Sequence, residues 1–226
     1  MSLILNIETT TKNCSVSLAE KGVLLTLEEL NDGNYSHGEQ LHLFIQKVLK
    51  DAQKYIKDID AVAISKGPGS YTGLRIGVST AKGLCFSLDK PLISISTLTS
   101  LANAISTDGN SVIVPLLDAR RMEVYSAVFD NNLNQVRETK AEIISENSFS
   151  EYLSKGKVYF LGDGTEKCKS VIKVDNANFL DGYYPSARQM AKLSYNKYKK
   201  NDIEDVAYFE PFYLKDFMVT TPKNQP

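Results

Sequence analysis

SKGPGSYTGLRIGVSTAKGL, residues 65–84, sets a glycine-rich turn between the apolar run DAVAIS (60–65) and a segment of helical periodicity. A strand, a glycine turn and a helix in that order can receive an anion on backbone N–H groups and the helix dipole. The spacing argues against that use. A nucleotide P-loop needs G-x-x-x-x-G-K-[ST], whereas AKG (81–83) runs in the reverse order, and a dinucleotide fingerprint would need glycine where Thr72 stands. A serine nucleophile elbow reads G-x-S-x-G, but Ser70 has its glycines at Gly69 and Gly73. The stretch is therefore read for its shape.

Leu74, Val78, Ala81, Cys85 and Leu88 recur at helical spacing, which gives the helix expected from Gly73 a core seam. Gly73, Gly77 and Thr80 form an adjoining face almost without bulk, where another helix is expected to approach closely. Gly77 inside a helix costs about 1 kcal/mol relative to alanine, so its presence calls for a packing or functional reason. The preceding helix, expected from about His37, carries Leu41, Ile45, Val48 and Ala52 on one stripe, and Phe44 and Leu49 widen it beyond one seam. Two readings stay open: the helices pack only on each other and their own sheet, or their surplus surface docks a partner.

Outward from this stretch, LILNIE (3–8), CSVSLAE (14–20) and VLLTLEEL (23–30) read as an antiparallel meander with a turn at Lys21 and Gly22. The strand LISIS (92–96) and a helix TLTSLANAIS (97–106) follow. After the break TDGNS (107–111) the pattern begins again with VIVPLLD (112–118), EVYSAVFD (123–130) and QVRETKAEII (135–144). A helix at about 146–154, the strand VYFLG (158–162) and a helix near Tyr184 to Lys199 continue it, and FEPFYLKDF (209–217) is expected to be extended. The repeat predicts two α/β lobes facing across a cleft, residues 1–106 and a reduced copy at 107–226. Glu8 and Asp118 each end the first strand of their copy.

Hydrophobic residues at 42% and charged residues at 23% allow apolar cores and exclude a disordered chain. A formal net charge of −1 argues against a protein that holds nucleic acid by itself, so any RNA role is expected to run through a partner. Cys14, Cys85 and Cys168 are far apart with no CxxC, which argues for reduced core residues against a disulfide or zinc framework. His37 and His42 lie about 140° apart on a helix, unlike the i, i+4 pair of a metal site, so no intrinsic metal is expected. Without tryptophan or aromatics interleaved with basic residues, no base-stacking platform is legible. No run approaches about 18 apolar residues and the N-terminus lacks a basic flank, so a cytoplasmic protein without a membrane span is expected.

IETTTKNCSVSL (7–18), KGPGSYTGLRIGVSTAKGL (66–84), SISTLTSLA (94–102), DARRMEVYSAVF (118–129) and EPFYL (210–214) together resemble the bacterial TsaB (YeaZ) family of tRNA threonylcarbamoyladenosine biosynthesis proteins. The resemblance implies two actin-like, ribonuclease-H-like (ASKHA) lobes with a duplicated βββαβα pattern. It also implies a non-catalytic accessory subunit that dimerises with the catalytic paralogue TsaD and recruits the ATPase TsaE. That assembly transfers a threonylcarbamoyl group from threonylcarbamoyl-adenylate to the adenosine beside the anticodon of tRNAs reading ANN codons. ATP and metal then belong to the partner subunits, tRNA is met through the complex, and the chain alone forms a homodimer.

Carried onto this sequence, the partner contact involves Leu41, Phe44 and Ile45 of one helix and Leu74, Gly77, Val78 and Ala81 of the next. The glycine loop would then position a docking helix. The equivalents of an actin-like ATPase's acidic phosphate-loop residues are Glu8 and Asp118, which with Arg120 mark a weak nucleotide or phosphate cleft. Many relatives carry aspartate where Glu8 stands, and LGDG (161–164) lacks a Gly-Gly pair. For Asp118 and Arg120 an ion pair or turn contact within a hairpin is the competing reading. The alternative function is a stand-alone actin-like ATPase or peptidase that depends on Glu8 or Asp118.

Overall fold

The computed structural model of the chain describes residues 2–33 and 36–215. Strand β1 (Leu3–Glu8) points Leu3, Leu5 and Ile7 to one side and Ile4, Asn6 and Glu8 to the other, and both sides are buried. A central strand that is apolar on one face and mixed on the other needs cover on both, and helices supply it. β2 (Cys14–Glu20) and β3 (Val23–Leu30) complete the antiparallel meander, and Lys21 and Gly22 both take positive φ in the turn that joins them. After α1 (His37–Asp51) and a single 3-10 turn at Ile56–Asp58, β4 (Ala61–Ser65) pairs parallel with β1. Helix α2 (Tyr71–Leu88), β5 (Leu92–Ile95) and α3 (Thr97–Ala102) end this half, and the sheet order is β3-β2-β1-β4-β5.

The second half repeats it. The strands β6 (Val112–Asp118), β7 (Glu123–Phe129) and β8 (Gln135–Ile143) precede α4 (Ser150–Leu153), β9 (Val158–Leu161), α5 (Thr165–Val171), β10 (Ala177–Leu180) and α6 (Ala187–Lys199). The order β10-β9-β6-β7-β8 matches that of the first sheet strand for strand. The actin-like duplication expected above is thus the fold. This copy is reduced only in its helices: α4 and α5 have 4 and 7 residues, against 15 and 18 in α1 and α2.

Several boundaries differ from the sequence reading. Helix α2 starts at Tyr71 because the Ser70 side chain accepts from the Gly73 amide and caps it. The helix expected over 97–106 stops at Ala102, and the one expected over 146–154 is only Ser150–Leu153. Helix α6 begins at Ala187, after a capping box formed by Ser186 and Gln189. Residues 209–215 form neither helix nor strand, and 216–217 lie outside the described residues.

Helices cover both faces of each sheet, and α3 and α6 meet between the two. Helices α1 and α2 cover one face of the first sheet through Leu41, Ile45, Val48, Val78, Ala81 and Cys85. The other face, with Ile4, Ala61, Ala63, Ile93 and Ile95, is closed by Ala187 and Met190 of α6, a helix from the second half of the chain. Conversely Leu98, Leu101 and Ala102 of α3 pack on Ile113, Leu117, Ala127 and Phe129 of the second sheet. A boundary at residue 107 therefore separates the sheets but cuts through both inner layers.

The chain after α6 runs back over the first lobe. Glu204 bridges to Leu92 of β5, and Lys82 of α2 donates to the carbonyls of Ala207 (3.1 Å) and Phe209 (3.0 Å). The Phe212 amide donates to the Lys66 carbonyl (2.7 Å), the Tyr213 ring lies 5.0 Å from that of Tyr71, and Lys215 pairs with Glu123 of β7. This strap spans from the glycine loop to the second sheet.

Candidate functional site

Three amides of the glycine loop between β4 and α2 are used on its own chain. Lys66 N–H donates to the Ile95 carbonyl (2.8 Å), Gly67 N–H to Thr97 Oγ1 (3.1 Å) and Ser70 N–H to the Thr10 carbonyl (2.7 Å). Donors satisfied in this way are not an open anion cradle. The absence of side chains at three glycines has a clear cause. A Cβ would stand 2.5 Å from the Thr10 carbonyl oxygen at Gly69, 2.0 Å from the Thr9 carbonyl oxygen at Gly73 and 2.2 Å from Thr9 Oγ1 at Gly77. The bulk-free face thus admits the β1–β2 connection of the same lobe, which corrects the expectation that another helix approaches there. Thr9 Oγ1 fastens the contact by donating to the Gly73 carbonyl at 2.8 Å.

That connection seals Glu8. The residue has no exposed surface; its Oε1 accepts from Thr10 N–H (2.7 Å) and Thr10 Oγ1 (2.5 Å), and its Oε2 makes no hydrogen bond. Burial pushes the carboxyl above its ordinary value, opposed by the hydroxyls of Thr10 and Ser65. On the same side of the sheet, the chain entering α6 takes the remaining polar groups. Asn13 Nδ2 donates to the Pro185 carbonyl (2.9 Å), Ser17 Oγ to the Ala187 carbonyl (2.8 Å), and Ala187 N–H to Ser15 Oγ (2.9 Å). Glu8 is accordingly a structural carboxyl, closed off from any ligand in the cleft.

Asp118, at the matching end of β6, is exposed. Its Oδ1 accepts from Lys167 Nζ (2.6 Å) and from the Arg120 amide (2.6 Å), while its own N–H donates to Asp163 Oδ1 (2.9 Å). Of the two elements in the competing reading, the turn contact with Arg120 forms through its backbone. The ion pair is made instead by Lys167 of α5, a helix the sequence analysis did not foresee. Asp163 is pushed up by burial, with the neighbouring Asp118 charge adding to it. Arg120 itself is exposed at the hairpin tip with φ 70°. The three expected cleft residues therefore differ in state: one is sealed, one is neutralised by lysine and one lies in solvent. Among the described residues no three His, Cys, Asp or Glu side chains gather as a metal site.

Of the seven residues expected at a partner contact, Leu41, Ile45, Leu74, Gly77, Val78 and Ala81 are buried in their own lobe, and Phe44 is half-buried. The apolar side chains that these helices do present outward are Leu43, 56% exposed, and Phe86, 86% exposed. They lie off the buried stripe, and that mismatch of phase is the signal by which sequence could have found them. The cysteines are all buried, and burial pushes the Cys14 and Cys168 thiols up to about 12 and that of Cys85 to about 11, so none is a nucleophile.

Glu8 yields a pH prediction. The folded state holds its proton more tightly than the unfolded chain, so this group's contribution is fully present below its ordinary value of 4.5 and is lost as pH rises toward the raised folded value. Glu8→Gln should match or exceed the wild-type melting temperature at neutral pH, and its stability should fall less as pH rises from 4.5 to neutral. Thermal melts across that range check it. A variant that is weaker at neutral pH with an unchanged pH profile would mean an ionised Glu8.

The model of the family described as TsaD: tRNA N6-adenosine threonylcarbamoyltransferase matches residues 33–223. The chain is 31% identical over 223 residues to the tRNA threonylcarbamoyladenosine biosynthesis protein TsaB of Escherichia coli (strain K12), with 94% of each covered. It is 29% identical over 221 residues to the protein of the same description from Bacillus subtilis (strain 168), covering 94% of this chain and 93% of that one. Among solved structures, YeaZ from Pseudomonas aeruginosa shares the fold with a TM-score of 0.77 at 22% identity, over 95% of this chain and 100% of the other.

Proposed function

The chain belongs to the TsaB family of tRNA threonylcarbamoyladenosine biosynthesis proteins, and from that premise we propose that it serves as a non-catalytic subunit of the threonylcarbamoyl-transfer assembly. In this reading it pairs with the catalytic paralogue TsaD, and the pair recruits the ATPase TsaE; ATP and metal are held by those partners. The observation that carries the proposal is the closure of the first lobe's phosphate position. Glu8 has no solvent access, the Lys66, Gly67 and Ser70 amides of the glycine loop are bonded within the chain, and Gly69 and Gly73 admit the chain's own backbone while Gly77 admits the Thr9 side chain. A nucleotide-hydrolysing lobe needs those groups open to ligand. The outward apolar side chains of the α1–α2 layer, Leu43 and Phe86, are the proposed anchors for the paralogue. A second copy of the chain would occupy the same surface in its absence.

The test reconstitutes tRNA modification with TsaD and TsaE and counts modified nucleosides by mass spectrometry. It compares wild-type chain, no chain, and the Leu43→Glu/Phe86→Glu variant. Modification should require the chain. The variant should lose at least about 2 kcal/mol of partner affinity, roughly 30-fold, since buried aromatic anchors dominate interfaces. Its melting temperature should stay near wild type, because exposed positions carry little folding energy. Equal modification in all three reactions would end the proposal, and Asp118-dependent ATP turnover or proteolysis by the isolated chain would replace it with the stand-alone enzyme.

A further inference from the structure

At the edge of the first sheet opposite Glu8, the β2–β3 turn, the start of β5 and the last turns of α6 enclose a shallow concavity of about 680 Å³. Its lining includes Lys21, Lys199, Tyr195, Tyr198 and Asn201 and no carboxylate among the described residues, although Glu20, Asp89 and Asp202 adjoin it in sequence, the last of them paired with Lys197. Lys192 and Lys200 flank it on and just after α6, and Lys90 precedes its lining residue Pro91. The segment KLSYNKYKK (192–200) does interleave tyrosines with lysines, which corrects the sequence reading that no base-stacking platform is present; of its lysines, Lys197 is occupied, donating to the Ser94 carbonyl (3.0 Å) and pairing with Asp202 (3.3 Å). Lys21, Lys90, Lys192, Lys199 and Lys200 make no ion pair among the described residues.

The aromatic part is firmly placed. A Cβ on Gly22 would meet Tyr195 Cδ1 at 3.0 Å, so the ring is wedged against the β2–β3 turn, and Lys199 Nζ lies 5.2 Å from the ring centroid. Unpaired ammonium groups beside fixed tyrosine rings suit a ligand that is both anionic and flat-faced. Phosphates take the lysines, and bases stack on rings. The lack of acid in the lining disfavours a cationic ligand, and an aromatic wall gives nothing to an isolated inorganic anion.

We propose that this lysine and tyrosine concavity is an auxiliary RNA-binding site, through which the chain touches the phosphodiester backbone and an unstacked base of the tRNA directly. The identity of the RNA rests on the proposed function above. With a net charge of −1 the whole molecule does not draw RNA from a distance, so the contact is local, modest and strongly dependent on salt. It lies on the inner-layer helix α6, away from the outward face of α1 and α2, so it stays open when that face is docked.

The test titrates fluorescein-labelled tRNA reading an ANN codon with the purified full chain and follows anisotropy over a salt series. Lys21→Glu/Lys199→Glu is compared with Lys140→Glu/Lys155→Glu, a pair of exposed lysines elsewhere that changes net charge equally. The first variant should bind at least tenfold more weakly at about 50 mM salt, and its log–log salt slope should fall by about 1.5, the value for two lost phosphate contacts. The control should change less than about twofold. Equal losses in both variants, no loss in the first, or no tRNA binding by wild type would overturn the site. So would lysine-dependent binding to phosphatidylserine vesicles without tRNA binding, which would assign the patch to a membrane. Modification that needs the chain, with tRNA binding unaffected by the patch variant, would sink this inference and leave the subunit role intact. Modification that proceeds without the chain, with tRNA binding lost only in the patch variant, would sink the subunit role and leave an RNA site of other purpose.

Discussion

Gly77→Arg is expected to yield chain that fails to fold, with loss of partner binding only as a consequence. A Cβ at this position would lie 2.2 Å from Thr9 Oγ1 and 3.0 Å from Ile64 Cδ1. Neither neighbour can retreat cheaply: Thr9 Oγ1 is bonded to the Gly73 carbonyl, and Ile64 is fully buried in β4. Overpacking in such a core commonly costs about 1–3 kcal/mol, and a guanidinium without water or partner costs more. Against a typical stability of about 5–15 kcal/mol this removes most or all of the folded population. The measurement is soluble yield and the far-UV melt of Gly77→Arg beside Gly77→Ala, which keeps the clash at Cβ alone and should fall between them. A cooperative, wild-type-like melt for the arginine variant would show that α2 can lift away from Thr9.

The second large effect is on truncation. Residues 1–106 expressed alone should be insoluble or molten, although they hold every strand of the first sheet. Without α6 the face bearing Ile4, Ala61, Ala63, Ile93 and Ile95 is open, and Met190, fully buried in the whole chain, is missing from it. Each of the larger ones, Ile4, Ile93, Ile95 and Met190, is worth about 1.5–3 kcal/mol when covered. Polar groups are stranded as well: Asn6 loses Ser194 (2.7 Å) and Ser17 loses the Ala187 carbonyl. Adding a peptide of residues 184–203 in trans should recover soluble, cooperatively melting material. A monodisperse 1–106 fragment with a sharp melt of its own would show that the inner layer is dispensable.

The strands of both meanders were legible because alternation and a forced turn agree. At Lys21 and Gly22 two positive φ angles fix where β2 ends and β3 starts. Helix α5 and strand β10 gave no such agreement: TEKCKSV buries only Thr165 and Cys168, and ANFL is half-buried throughout. The equivalence of Glu8 and Asp118 could be read from the repeat, but not their opposite fates. Sealing of Glu8 depends on Thr10 folding back beside it, and neutralisation of Asp118 on Lys167, 49 residues away. The helix stripes were found correctly as patterns, yet a pattern of buried residues marks what a lobe keeps for itself. The outward apolar side chains, Leu43 and Phe86, stand where periodicity is broken. Nothing in the spacing of α6 says which sheet it covers, because its apolar stripe would suit either.

The exchange of helices between the two sheets also bears on how the molecule is made. The bond from Ser194 to Asn6 closes a separation of 188 residues, and the Ser17 to Ala187 bond one of 170. During synthesis from the N-terminus, β1 to β5 emerge long before the helix that must cover their inner face. The nascent first lobe therefore waits, with apolar strand surface uncovered, until α6 has been translated and released from the ribosome. Late closure of such distant contacts slows folding and prolongs exposure to aggregation. Maturation is set by the arrival of α6, and a holding chaperone has its longest opportunity on the part of the chain that was translated first.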